Sequence, residues 1–351
     1  MITSNSIISF QLPDQLACPL PTEKRGITRD AARLLVSSED GQQLQHSTFT
    51  NLVDYLNPGD LLVVNTSATQ AAALPIVLPN EQAARLHLST QLGEGRWLVE
   101  IRLIQNNKTV RWKDGKARMT FILPEGAKLQ LNKRYYNQQQ QLDLWEAELY
   151  TSLPINEYLQ RFAQPIKYTN VHQPYPLDYY QTFFAHTPGS SEMPSAGRGF
   201  AADLVQRLLL KGIGFAPILL HTGVSSLETG ERPYPEYTKV SALSASIINA
   251  AKAKGGRIIA VGTTAIRALE SATQQDGRVH AFNGHTNLFI SHDYEMKIAD
   301  GLITGFHEPE ASHLHMLQAL ASEGHLAKAY QAALAEGYFW HEFGDFHLLL
   351  S

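Results

Sequence analysis

Polar and apolar positions alternate with two different periods along the chain, and the change of period divides it. Between about Leu74 and Leu149 the period is two, as in Arg96-Trp97-Leu98-Val99-Glu100-Ile101-Arg102-Leu103 and again from Ala117 to Leu123. Turn-forming residues separate these runs at Asn106-Asn107, Asp114-Gly115 and Pro124-Glu125-Gly126, so short antiparallel strands are expected. The Gln138 to Gln141 run reads as a hairpin or loop. From about Gly199 the pattern lengthens to helical spacing in Phe200–Lys211, Ala242–Lys254 and Thr264–Ala272, with the apolar runs Phe215–Leu220 and Arg257–Val261 between them. Helix and strand alternate there, which predicts α/β. Near the N-terminus, Asp60-Leu61-Leu62-Val63-Val64 follows the turn Asn57-Pro58-Gly59 and reads as one more strand of that part. The predicted architecture is α/β: a domain built from residues 1–68 plus 151–351, interrupted by a small antiparallel β-barrel domain at residues 69–150.

The 351 residues are 44% hydrophobic, 9% aromatic and 18% charged, enough apolar surface for a globular chain with a large core. A single cysteine, Cys18, excludes an internal disulfide and a Cys-rich metal site. No basic start leads into an apolar run and nowhere do eighteen apolar residues follow one another, so a cytoplasmic location without membrane contact is expected. The net charge of −4 argues against a uniformly basic nucleic-acid binder, yet the average hides a local field. From Arg102 to Arg134 nine basic residues face two acidic ones, a net +7 that leaves −11 for the remainder. Within it Arg111, Lys113 and Lys116 are the candidate RNA contacts, with a solvated basic face as the alternative.

Two strand exits and one loop carry the candidate chemistry. In Arg257-Ile258-Ile259-Ala260-Val261-Gly262-Thr263-Thr264 a buried strand ends at a glycine and a helix begins, which offers free amides and hydroxyls to a carboxylate, phosphate or ribose oxygen. The plainer reading is that Thr263 or Thr264 merely caps the helix. In Leu220-His221-Thr222-Gly223 a strand runs into a histidine, at the edge where α/β sheets place ligands, with a structural histidine as the plainer reading. Pro188 to Gly197, rich in small and turn residues, reads as a surface loop or a binding loop. Arg267 is either a ligand contact or the partner of Glu270 on one helix face. His307, His313, His315, His325, His341 and His347 raise the question of metal, but His313 and His315 are two apart on a helix and face different ways, so none is expected.

Taken together, these segments resemble the S-adenosylmethionine:tRNA ribosyltransferase-isomerase (QueA) family of queuosine biosynthesis. The resemblance runs through Phe10-Gln11-Leu12-Pro13, Asn57 to Asn65, Tyr180-Gln181-Thr182, Pro194-Ser195-Ala196-Gly197, Leu220 to Gly223, Ala260 to Ser271, Gly284 to Ile290, Leu302 to Pro309 and Phe343-Gly344-Asp345. It implies an α/β domain interrupted by a β-barrel. The implied reaction moves the ribosyl part of S-adenosylmethionine onto 7-aminomethyl-7-deazaguanine in tRNA and releases adenine and methionine. S-adenosylmethionine is then a substrate and no cofactor is needed. The implied site holds Ser195, Gly197, Gly223, Gly262, Thr263, Thr264 and Arg267 against substrate, with His221 or His307 as proton acceptor. Several polar positions depart from the family pattern. Ala68 and Ala73 stand where it has arginines, Gly199 where it has histidine, and Gly305 and Glu308 where it has asparagine and leucine. Of its H-x-M-H-x-E stretch only Glu236 remains. The alternatives are therefore a same-fold enzyme acting on another nucleoside-type substrate and a non-catalytic RNA-binding protein. Arg198 and Arg232 are the cations that could replace a lost arginine.

Overall fold

The computed structural model describes residues 8–39, 43–105, 108–137, 140–224, 234–309 and 311–351. The N-terminal part contributes β1 (Arg33–Ser38), β2 (Gln43–Thr48), β3 (Leu61–Asn65) and the short β4 (Ser67–Thr69). Seven strands follow: β5 (Ala73–Val77), β6 (Ala83–Gly93), β7 (Arg96–Gln105), β8 (Lys108–Arg111), β9 (Thr120–Ile122), β10 (Lys128–Asn137) and β11 (Gln140–Tyr150). After α1 (Ile155–Phe162) and β12 (Thr187–Ser190), the chain alternates between helix and strand. The order is α2 (Ala202–Leu210), β13 (Gly214–Leu220), β14 (Glu236–Val240), α3 (Ala242–Ala253), β15 (Ile258–Val261), α4 (Thr263–Ala272) and β16 (Phe282–Thr286). β17 (Gly301–Gly305), α5 (Ser312–Gln318), α6 (Glu323–Ala335) and β18 (Phe346–Leu350) complete it.

The larger sheet has the order β16-β14-β13-β3-β15-β17-β18-β1-β2, so strands from both ends of the chain interleave. Its centre, β13-β3-β15-β17, is parallel. Central parallel strands are covered on both faces, which is why they read as unbroken apolar runs. Leu61 and Val63 of β3 enter a core with Ile258, Ala265, Ile266 and Leu269. Leu62 and Val64 enter the opposite one with Phe49, Leu204, Leu208 and Ile259. The second sheet runs β5-β6-β7-β11-β10-β9 with β8 on β7, and β5 approaches β9 to give a nearly closed antiparallel barrel. Alternate residues, among them Leu86, Leu88, Trp97, Val99, Leu129, Leu131 and Trp145, fill its interior. The fold is thus α/β with an antiparallel barrel-like sheet in the middle of the chain, as expected.

Two local expectations change. The strand expected over Ala117–Leu123 is confined to Thr120–Ile122, and Arg118 has a left-handed φ of +68°. The chain there lies against the ring of Trp145, so close that a Cβ on Gly115 would sit 2.8 Å from Trp145 Cζ2. Pro188 to Gly197 is no surface loop. β12 pairs in parallel with β4, Ser195–Gly199 forms a 3-10 turn, and Ser190, Ser191, Glu192, Ala196 and Gly197 are buried. Small side chains let this segment's backbone run inside the protein rather than over it. Asn106-Asn107 and Gln138-Gln139 lie outside the described residues.

Candidate functional site

Because β13, β3, β15 and β17 are parallel, their carboxyl ends share one edge, and the residues after Leu220, Asn65, Val261 and Gly305 meet there. Asn65 joins three of these exits. Its Nδ2 donates to Leu220 O (2.9 Å) and Thr264 Oγ1 (3.1 Å), while its Oδ1 accepts from Leu220 N (3.0 Å) and Ser67 N (3.1 Å). All four hydrogen-bonding positions of the amide are used. A polar residue closing a buried apolar strand was the signal for it in the sequence, which otherwise shows Asn65 only as part of a family segment.

At the β13 exit, His221 Nδ1 lies 2.8 Å from Ser67 Oγ, which lies 2.6 Å from Ser190 Oγ; the latter accepts from Thr222 N. The imidazole stacks on Tyr237 with centroids 5.6 Å apart. Its edge rests on Gly189, whose φ is +154° and where a Cβ would fall 2.4 Å from His221 Cε1. Burial lowers the pKa of His221 to about 4, so the ring is neutral at pH 7. The next glycine, Gly223, donates its N–H to Glu236 Oε1 (2.9 Å) beneath the hydroxyl of Tyr234. The other carboxylate oxygen of Glu236 receives Arg267 Nη1.

At the β15 exit Gly262 is itself the N-cap, with φ +98° and no side-chain cap bond, so neither Thr263 nor Thr264 caps α4. A Cβ on Gly262 would lie 3.3 Å from Ala196 Cβ, which places the 195–199 turn against the start of the helix. Ser195 is half-buried in that turn, and Gly197 packs so tightly that a Cβ there would sit 3.2 Å from Thr182 Cβ. Thr263 and Thr264 are half-buried, Thr264 being held by Asn65. The Arg267–Glu270 pairing is not formed. Arg267 donates to Leu288 O (3.0 Å) and Glu236, and its Nη2 is enclosed without a partner among the described residues. Glu270 instead accepts from Tyr294 Oη and the backbone N–H groups of Lys297, Ile298 and Ala299.

Beyond β17, His307 Nε2 contacts Thr304 Oγ1 (2.9 Å) and its ring stacks on His313 with centroids 4.5 Å apart. Burial, helped by His313, lowers the His307 pKa. Glu308 lies 2.7 Å from His341 Nδ1, while burial raises the carboxyl of neighbouring Glu342 to about 8, above its usual range. His315 faces Phe289 and His292 instead, so His313 and His315 do diverge. Among the described residues no group of three or more His, Cys, Asp or Glu could hold a metal ion. Strands β3 and β15 separate β13 from β17, so the strand ends that lead into His221 and His307 lie about 14 Å apart at a spacing of about 4.8 Å per strand.

Of the replaced positions, Gly199 is closed by packing. A Cβ on Gly199 would lie 2.8 Å from Phe49 Cδ1 and 2.9 Å from Phe346 Cε2, which leaves no room for a histidine. Arg198 does not stand in for a lost arginine. It is buried, donates to Thr22 Oγ1 (2.8 Å) and Tyr179 O (3.2 Å), and pairs with Glu23. Arg232 lies outside the described residues.

The basic stretch is less basic in space than in sequence. Arg111 is not a surface cation: its side chain is 6% exposed and its Nε donates to the fully buried Glu100 (2.8 Å), which Arg102 also binds (2.7 Å). Strand β11 returns with Asp143 beside Arg134 (2.9 Å) and Lys113 (3.6 Å), and with Glu146 beside Lys133 (3.1 Å). Lys113, Lys116, Arg118, Lys128 and Lys133 remain exposed. A shallow depression lined by Ala117, Lys133, Arg134, Tyr136, Trp145 and Glu146 lies among them.

Fold and edge together define an α/β protein with an inserted antiparallel barrel whose polar residues converge at the carboxyl ends of parallel strands. The pattern of the queuosine biosynthesis protein family matches residues 6–349, and the chain belongs to that family. It is similar to the S-adenosylmethionine:tRNA ribosyltransferase-isomerase of Desulfitobacterium hafniense, at 34% identity over 97% of this chain and 98% of that relative. The enzyme of the same name from Desulforamulus reducens is 30% identical over 98% and 99% of the two chains. In fold it is similar to the crystal structure of an S-adenosylmethionine tRNA ribosyltransferase from Thermotoga maritima, with a TM-score of 0.54 and 24% identity over 98% of this chain and 99% of that one. No helix among the described residues is long and apolar enough to cross a membrane.

Proposed function

We propose that this protein is an S-adenosylmethionine:tRNA ribosyltransferase-isomerase, transferring the ribosyl moiety to 7-aminomethyl-7-deazaguanine in tRNA and releasing adenine and methionine. The observation that carries the reading is the convergence of Ser67, His221, Gly262–Thr264 and His307 on one sheet edge, in a chain matched nearly end to end by enzymes of that name. In this reading the N-terminus of α4 with Thr263 and Thr264 receives ligand oxygens, since the first amides of a helix lack intrahelical acceptors. Ser195 and Gly197 bring the neighbouring turn against the ligand. Gly223, Glu236 and Arg267 form a buried brace behind it rather than a free cationic contact. His307, neutral and beside Thr304, is the proton acceptor. The module of residues 69–150 meets tRNA through Lys113 and Lys116 at its exposed face, where phosphate contacts position an RNA. A protein with this substrate works in the cytoplasm.

Incubation with S-adenosylmethionine, followed by chromatography for adenine, tests the reading. Adenine formed only when tRNA carrying the modified base is present supports it. The alanines at positions 68 and 73, where the family resemblance implies arginines, favour a second reading, a non-catalytic RNA-binding protein; no adenine under any condition, with tRNA binding intact, would select it. Adenine formed with another nucleoside-type acceptor and not with that tRNA would instead leave a same-fold enzyme with a different substrate.

A further inference from the structure

The hydrogens of the Ser190–Ser67–His221 chain can be placed by counting donors and acceptors. Ser190 Oγ accepts from Thr222 N (2.9 Å), and the acceptor within reach of its own O–H is Ser67 Oγ at 2.6 Å. Ser67 Oγ then receives that hydrogen and points its own toward His221 Nδ1 at 2.8 Å. A ring nitrogen that accepts must be the bare one, so the proton of the neutral imidazole sits on Nε2. The reverse order, Nδ1–H to Ser67 to Ser190, would leave the Ser190 hydroxyl hydrogen without an acceptor among the described residues. Both serines have 0% exposure, so bulk water does not reach it. An orphaned buried donor disfavours that order by about tenfold or more. His221 Nε2 has no protein partner among the described residues, and the ring is fixed between Tyr237 and Gly189.

We propose that His221 is a neutral hydrogen-bond donor through Nε2–H to an acceptor oxygen or ring nitrogen of the nucleoside ligand, and that Ser67 and Ser190 are positioning residues that hold this tautomer. This replaces the expectation that His221 accepts a proton. The choice of ligand rests on the function proposed above, whereas the tautomer rests on hydrogen-bond geometry alone. A neutral donor fixed in place can stabilise charge developing on a departing base without waiting for protonation.

The test uses the full chain labelled with 15N-histidine. At pH 7, long-range 1H–15N correlation should show His221, identified by loss of its signals in His221→Gln, as the Nε2–H tautomer. Ser67→Ala and Ser190→Ala should each move it toward a mixture with the Nδ1–H form. An Nδ1–H tautomer in the wild type, or one indifferent to both serine substitutions, overturns the relay. In turnover, His221→Gln keeps an N–H donor but cannot hold a proton, so adenine release should fall by about tenfold or less, against about a hundredfold in His221→Ala. Equal losses in the two variants overturn the donor role. Absence of adenine release from the wild type refutes the function proposed above, while the tautomer spectrum still decides the relay.

Discussion

Acidification should weaken the fold through one histidine more than through any surface charge. His347 is fully buried on β18, its Nε2 2.7 Å from Ser37 Oγ, its ring parallel to Phe306 at 5.7 Å and its Nδ1 without a partner among the described residues. Burial lowers its pKa from 6.5 to about 3. A depressed histidine pKa means that the unfolded chain takes up the proton first, so stability is fully present above pH 6.5 and is lost as pH falls from there toward 3. Each pH unit in that window is worth about 1.36 kcal/mol, so lowering pH from 7 to 5 should cost about 2 kcal/mol through this ring alone. Urea unfolding of wild type and His347→Gln at pH 7 and pH 5 isolates it, because the glutamine can still reach Ser37 and the other buried histidines contribute alike to both proteins. Wild type should lose about 2 kcal/mol more than the variant over that interval. Equal losses in the two proteins would refute the reasoning, since the ring would then be charged or solvated in the native state.

Other substitutions read the site and the barrel. Asn65→Ala strips four hydrogen bonds from three strand exits, and thermal unfolding should show a loss of about 2–4 kcal/mol. Gly189→Ala places a methyl 2.4 Å from His221 Cε1, so adenine release should fall while unfolding stays cooperative; unchanged turnover would mean that the ring's position is immaterial. Arg111→Ala leaves the buried Glu100 with one fewer cation and should destabilise the protein by about 3 kcal/mol without changing the salt dependence of tRNA binding. Charge reversal at Lys113 and Lys116 should do the opposite, flattening the slope of affinity against salt at unchanged stability.

The repeating patterns of the sequence, together with its strand exits, determined the elements and much of the candidate site's location. Leu61 to Val64 and Ile258 to Val261 are apolar without interruption because both faces of a central parallel strand are covered, and Gly262 before two threonines ends β15 and opens α4. Periodicity says which face of an element is buried, but not which distant element supplies its partner. Arg267 has an acid three residues away, yet the chain brings Glu236 to its guanidinium while backbone amides occupy Glu270. The run of cations from Arg102 to Arg134 looks uniform until β7 and β11 fold beside it and bring Glu100, Asp143 and Glu146 into contact. The Ser67–Ser190–His221 chain joins three separate segments through strand pairing. Residue order carries no sign of it, because hydrogen bonds act over about 3 Å of space, whatever the distance along the chain.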